Sequence, residues 1–177
     1  MKTDVITITN LGKGCDEAVA QVEKVAVYNN LNPKEKIQLQ LLTEEMMALA
    51  RSITGEMTAN FWIENDKHHY ELHLKTHTLM DAEKRGLLIL SSSNRKNEAA
   101  NTFLGKIRNM IEEHILPEAD FNKEFEFSST MLSDLPMNGL VENEWDGLER
   151  SVLLKTSDEV KVSIKGGNVE IIVVKNY

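Results

Sequence analysis

Apolar and polar residues alternate along this 177-residue chain with two different periods, and the changes of period divide it into elements. Residues 5–9 are a β-branched run that predicts a short strand, set off by Gly12 and Gly14. Over 15–28, Ala18, Val19, Val22, Val25 and Ala26 recur at helical spacing, with Asp16 and Glu17 where acidic side chains suit a helix start. A second helix opens on Asn32 as N-cap, Pro33 at the first helical position and Glu35 completing a capping box. Its apolar surface is assigned to Ile37, Leu41, Met47, Leu49 and Ile53, and Gly55 stops it. Residues 57–64 and 68–76 read as a hairpin turning at Asn65, Asp66 and Lys67.

Residues 81–90 read as a helix capped by Asp81, and the serines at 91–93 break the chain. An amphipathic helix is predicted over 97–115, with Ala100, Phe103, Leu104, Ile107, Met110, Ile111 and Ile115 on one side and Pro117 beyond it. Segment 118–143 is irregular, but Phe121, Phe125 and Phe127 predict that it is anchored to the body. A helix follows over 145–154. Strands over 160–164 and 169–174 flank Lys165-Gly166-Gly167-Asn168, the clearest hairpin signal, because glycine accepts the positive φ of a tight turn. Hairpins with separate helices predict an α+β fold, a two-layer sandwich with helices on one face of a mostly antiparallel sheet.

Composition narrows the class. With 41% hydrophobic and 27% charged residues, the chain reads as one ordinary globular domain over 1–177. That length buries enough surface to need no disulfide or metal staple. The single cysteine, Cys15, fits a reducing compartment. Residues 1–10 carry no apolar leader, and no apolar run approaches the roughly 20 residues that span a bilayer. A cytoplasmic location with no membrane partner is expected. A net charge of −8 without a basic cluster argues against nucleic acid.

The stretch Leu41-Leu42-Thr43-Glu44-Glu45-Met46-Met47-Ala48, with the element order around it, resembles the GHKL family of histidine kinase-like ATPases. Within that family it looks most like the anti-sigma-factor serine kinases. The resemblance would span nearly the whole chain, best over 31–65 and 145–177. It implies the family's α+β sandwich and an ATP or ADP site. There a helix presents a Glu that orients the attacking water and, one turn on, an Asn that holds magnesium. Glu44 matches the Glu, and Ala48 falls where the Asn belongs. Were Glu45 the match, Leu49 would fall there. Neither side chain offers the oxygen a hard cation needs. Asp81 stands where the family's adenine-binding Asp follows the hairpin, but the glycines of that motif are absent, and Gly86-Leu87-Leu88 is a faint echo of the second glycine box.

Carried over by resemblance, Glu44 is the catalytic candidate, and Glu44, Glu45, Ala48, Asp81 and Gly86 are the nucleotide-binding candidates, with no metal set. The resemblance therefore implies a catalytically degenerate regulatory domain. It would bind a protein partner, a sigma factor or its antagonist, and could pair as a homodimer. The sheet edge and segment 118–143 are its expected contact regions. Two alternatives stay open: a working ATP-dependent serine kinase using Glu44 and Asp81, and a small-molecule domain that has lost nucleotide.

Other patterns weigh towards ordinary structure. Glu44 and Glu45 point about 100° apart on a helix, so they do not converge as a catalytic pair. His69, Glu71, His73 and His77 share one strand face, and zinc takes such ligands. But Lys75 shares the row, and neighbours about 6.5 Å apart on one strand do not converge on an ion, so a solvated polar face is expected. Tyr70, Leu72 and Leu74 form the apolar face. Cys15 reads as a small hydrophobe and the methionines as core fillers. The run 91–97 could cradle an anion at a helix start, but reads more simply as a loop with Asn97 as N-cap.

Overall fold

The computed structural model describes residues 1–9, 12–55, 58–101 and 152–177. Its elements are β1 (Ile6–Thr9), α1 (Cys15–Tyr28), α2 (Pro33–Thr54), β2 (Thr58–Asp66), β3 (His69–His77), α3 (Ala82–Leu90), a 3-10 turn (Glu98–Asn101), β4 (Glu159–Lys165) and β5 (Asn168–Asn176). Residues 152–156 are also helical. The five strands form one sheet in the order β1-β2-β3-β5-β4, with every pairing antiparallel. The fold is α+β.

Strand alternation decides which side chains meet the helices. Phe61, Ile63, Tyr70, Leu72, Leu74, Val160, Val162, Ile164, Val169, Ile171 and Val173 point to one face of the sheet and are buried there. They form a single core with Ala18, Val22 and Val25 of α1 and Leu39, Leu42, Met46, Leu49 and Ala50 of α2. The opposite face carries Trp62, Glu64, Glu71, His73, Glu170 and Lys161.

Local chemistry explains the element ends. The Asn32 side chain accepts from the Glu35 N–H at 3.0 Å while the Glu35 carboxylate accepts from the Asn32 N–H at 2.9 Å, the reciprocal capping box read from the sequence. α1 begins after Gly14, whose φ of 83° favours glycine. A Cβ there would lie 2.2 Å from the Thr7 carbonyl oxygen, so this turn passes directly over β1.

Several expectations need correcting. On α2, Ile37 is 64% exposed, whereas Leu39 is fully buried. Residues two apart on a helix point about 200° apart, and the Leu39, Leu42, Met46, Leu49, Ile53 series faces the sheet instead. The first hairpin turns at Lys67 and His68, with Lys67 at φ 54°, so Asn65 and Asp66 belong to β2. Residues 98–101 form a 3-10 turn where the start of a long helix was expected. The rest of that expected helix, segment 118–143 and residues 145–151 lie outside the described residues.

The run 91–97 covers the edge of the sheet and does not present a free anion cradle. Asn97 is 6% exposed. Its side-chain amide donates to the Ile164 carbonyl at 2.9 Å, and its Oδ1 accepts from the Ile164 N–H at 2.8 Å. The Ser93 N–H donates to the Val160 carbonyl at 2.9 Å, and the Ser93 hydroxyl accepts from the Val160 N–H at 2.7 Å. Ser93, through its backbone and hydroxyl, and the Asn97 side chain thus stand in for a sixth strand along β4. The Ser91 and Ser92 hydroxyls donate to the Leu87 and Ile89 carbonyls at the end of α3.

Candidate functional site

Two regions bear on function: the α2 surface singled out by the resemblance, and the sheet face turned away from the helices. On α2, Glu44 is exposed and Glu45 half-buried. Burial, then the neighbouring Glu44 charge, raises the Glu45 carboxyl above its usual range. Ala48 lies one turn beyond Glu44, half-buried between the buried Met47 and Leu49, and presents only a methyl group.

Asp81 is exposed, and its carboxylate serves as a helix cap: Oδ1 accepts from the Lys84 N–H at 2.7 Å, with the Lys84 ammonium 3.9 Å from Oδ2. Gly86 occupies the interior of α3, and a Cβ there would meet nothing within 4 Å. It is an ordinary helical position, not a tight glycine turn. Among the described residues, no hydrogen bond or ion pair joins Glu44 or Glu45 to Asp81.

On the outer sheet face His69, Lys75 and His77 are exposed, as expected of a solvated row, but its centre is not. Tyr70, Leu72 and Leu74 do face the core, fully buried. On the other side, however, His73 is only 7% exposed and Val174 only 3%. The Trp62 ring stacks on His73, centroids 4.7 Å apart and planes 10° from parallel. Lys2 holds its ammonium 4.6 Å from the Trp62 centroid, a cation–π contact.

Around that stack the carboxylates are ordered. Glu64 Oε1 accepts from the Trp62 indole N–H and from the Lys2 ammonium, each at 2.9 Å. These two bonds, Lys2 first, hold the Glu64 carboxyl below its usual range. Glu170 Oε1 lies 3.3 Å from His73 Nδ1. Glu71 Oε2 lies 3.5 Å from His73 Nε2, while its Oε1 faces His69 Nε2 at 3.4 Å and the Lys161 ammonium at 3.9 Å. A bond from Asn176, followed by the Glu71 carboxylate, raises His69 above its usual range against the opposing effect of burial.

Pairing register brings this cluster together. The two-residue turn sets Glu64 directly opposite Glu71, Trp62 opposite His73, and His73 opposite Ile172. Reading β3 alone finds His69, Glu71 and His73 but misses Trp62, Glu64 and Glu170, which come from the strands on either side. The signal was present: the alternation of β2 with β3 permits only registers that align the two apolar sets. A three-residue turn at 65–67 would have put Phe61 opposite Glu71, an apolar residue against a carboxylate.

No protein-family model matches the chain, and no curated protein sequence matches it. No helix among the described residues is long and apolar enough to cross a membrane.

Proposed function

We propose that the chain is a catalytically degenerate, GHKL-like regulatory domain acting in the cytoplasm through a protein partner. By the resemblance, that partner is a sigma factor or its antagonist. The observation that carries this reading is Ala48. One turn beyond Glu44, where magnesium would need an oxygen, stands a half-buried methyl between core residues. Without the ion, nothing at that position neutralises phosphate charge during transfer. The use of Asp81 as the cap of α3 supports the same reading, since its carboxylate is already engaged. Ser93 and Asn97 occupy the β4 edge, so partner contact does not proceed by strand addition there.

The test is thermal unfolding with and without magnesium-ATP and ADP, followed by a phosphorylation assay. Nucleotide at 100 times its Kd would add about 2.7 kcal/mol of stability, a shift of several degrees. We expect no ATP turnover. Turnover that disappears in Glu44→Ala would refute the reading and support an active serine kinase.

A further inference from the structure

We propose that Glu64, Glu71 and His73 form a binding site for one divalent transition-metal ion of the zinc class, on the sheet face away from the helices. This inference is independent of the partner-binding reading. Among the described residues these three form the one group of side chains whose ligand atoms, one from each, all lie within 4.8 Å of one another.

Three observations support a metal. The first is an unsatisfied nitrogen. His73 is more than nine-tenths buried, yet its Nε2 has no hydrogen-bond partner. Glu71 Oε2 lies 3.5 Å from it. For an ion with bonds of about 2.1 Å in tetrahedral geometry, donor atoms sit about 3.4 Å apart. The His73–Glu71 pair is therefore already spaced as two ligands, with a Glu64 carboxylate oxygen within 4.8 Å of both.

The second is the support behind the ring. Glu170 Oε1 lies 3.3 Å from His73 Nδ1, on the side of the imidazole away from Glu71. A carboxylate behind a ligating histidine is the usual outer support of a metal-bound imidazole. Trp62 gives Glu64 similar support, because its indole N–H and Lys2 both engage Oε1 and leave Oε2 free.

The third is the pairing. Glu64 and Glu71 are direct cross-strand partners, and a cation between them would relieve the repulsion of like charges set directly opposite. Lys2 and Lys161 approach from the flanks, on the Oε1 atoms only. Lys75 lies beyond His73, opposite Asn60 and Glu170, and does not enter the group. One imidazole and two carboxylates suit a borderline ion such as Zn²⁺ better than Mg²⁺ or Ca²⁺. Three protein ligands leave a fourth position open to water or to a side chain of a partner.

The experiment is calorimetric titration of chelator-treated full-length protein with zinc chloride, together with quenching of tryptophan fluorescence by Co²⁺. We expect one saturable site per chain, and quenching that is lost in Trp62→Phe. Glu64→Gln and Glu71→Gln, which keep side-chain shape, should each weaken zinc binding more than tenfold. Glu170→Gln should weaken it about 10–100-fold. His77→Gln should leave it unchanged, and circular dichroism establishes that each variant is folded. Absence of zinc binding at millimolar concentration would overturn the proposal. So would binding that survives both Glu64→Gln and Glu71→Gln, which would make the cluster a salt-bridge network held by Lys2 and Lys161.

Discussion

Replacing Asn97 by alanine tests how the sheet is finished along β4. The native amide makes two hydrogen bonds to the backbone of Ile164, at 2.8 and 2.9 Å, and Ile164 is 1% exposed. Truncation leaves a buried N–H and a buried C=O without partners, each costing about 1–3 kcal/mol. Because β4 is the edge strand, water reaches part of the gap, so we expect about 2–4 kcal/mol in total. At roughly 2–4 °C per kcal/mol, the unfolding midpoint should fall by about 4–16 °C.

The assay is urea unfolding by circular dichroism, with hydrogen exchange at the Ile164 amide as the local readout. That amide should exchange faster in the variant than the amides of β3 do. Asn97→Asp sharpens the test: its ionised carboxylate still accepts from the Ile164 N–H but sets an oxygen against the Ile164 carbonyl. Part of its lost stability should return as pH falls and the acid can donate. A loss of less than about 0.5 kcal/mol for Asn97→Ala, the size of an ordinary surface substitution, would refute the account of the clamp.

Gly14→Ala should cost more than Gly12→Ala in the same unfolding assay. Both glycines have positive φ, but only at Gly14 would a Cβ strike a backbone atom, the Thr7 carbonyl oxygen at 2.2 Å. The strain common to both is about 1–2 kcal/mol, and Gly14→Ala should exceed it. For Asp158, burial opposes ionisation, but bonds from the Lys175 ammonium and the Asn176 backbone and side chain outweigh it and hold the carboxyl below its usual range. Its contribution is therefore present above the unfolded carboxyl range and is lost as pH falls through the folded one. Asp158→Asn should destabilise at neutral pH, and the gap to wild type should close in acid. Glu45 has the opposite sign: burial raises it, so its ionisation opposes folding as pH rises. Glu45→Gln should raise the unfolding midpoint at neutral pH and change little at acid pH, measured by thermal scans across the two conditions.

Local structure follows from residues close in the chain. The capping box at Asn32 and Glu35, the Asp81 cap, the glycine hairpin at Gly166 and the alternation of Tyr70, Leu72 and Leu74 were all legible, because each depends on side chains a few residues apart. The same locality explains the errors. Helical spacing alone admits Ile37 to the buried face, and the position of the sheet selects the Leu39 face instead. Asn97 was legible as a cap, and its side chain does accept from the Ala99 N–H at 3.1 Å. That it also clamps a strand 67 positions away was not legible. The nucleotide-site candidates Glu44, Glu45, Ala48, Asp81 and Gly86 came from resemblance, and the fold sets them on two different helices. The cluster on the outer sheet face is not visible in any one strand's sequence and depends on how the strands pair. Glu64, His73 and Glu170 stand on three strands and meet only because antiparallel pairing aligns them. A strand's own sequence specifies which face a residue takes, whereas the identity of its neighbours is a property of register, which turns and core packing settle together.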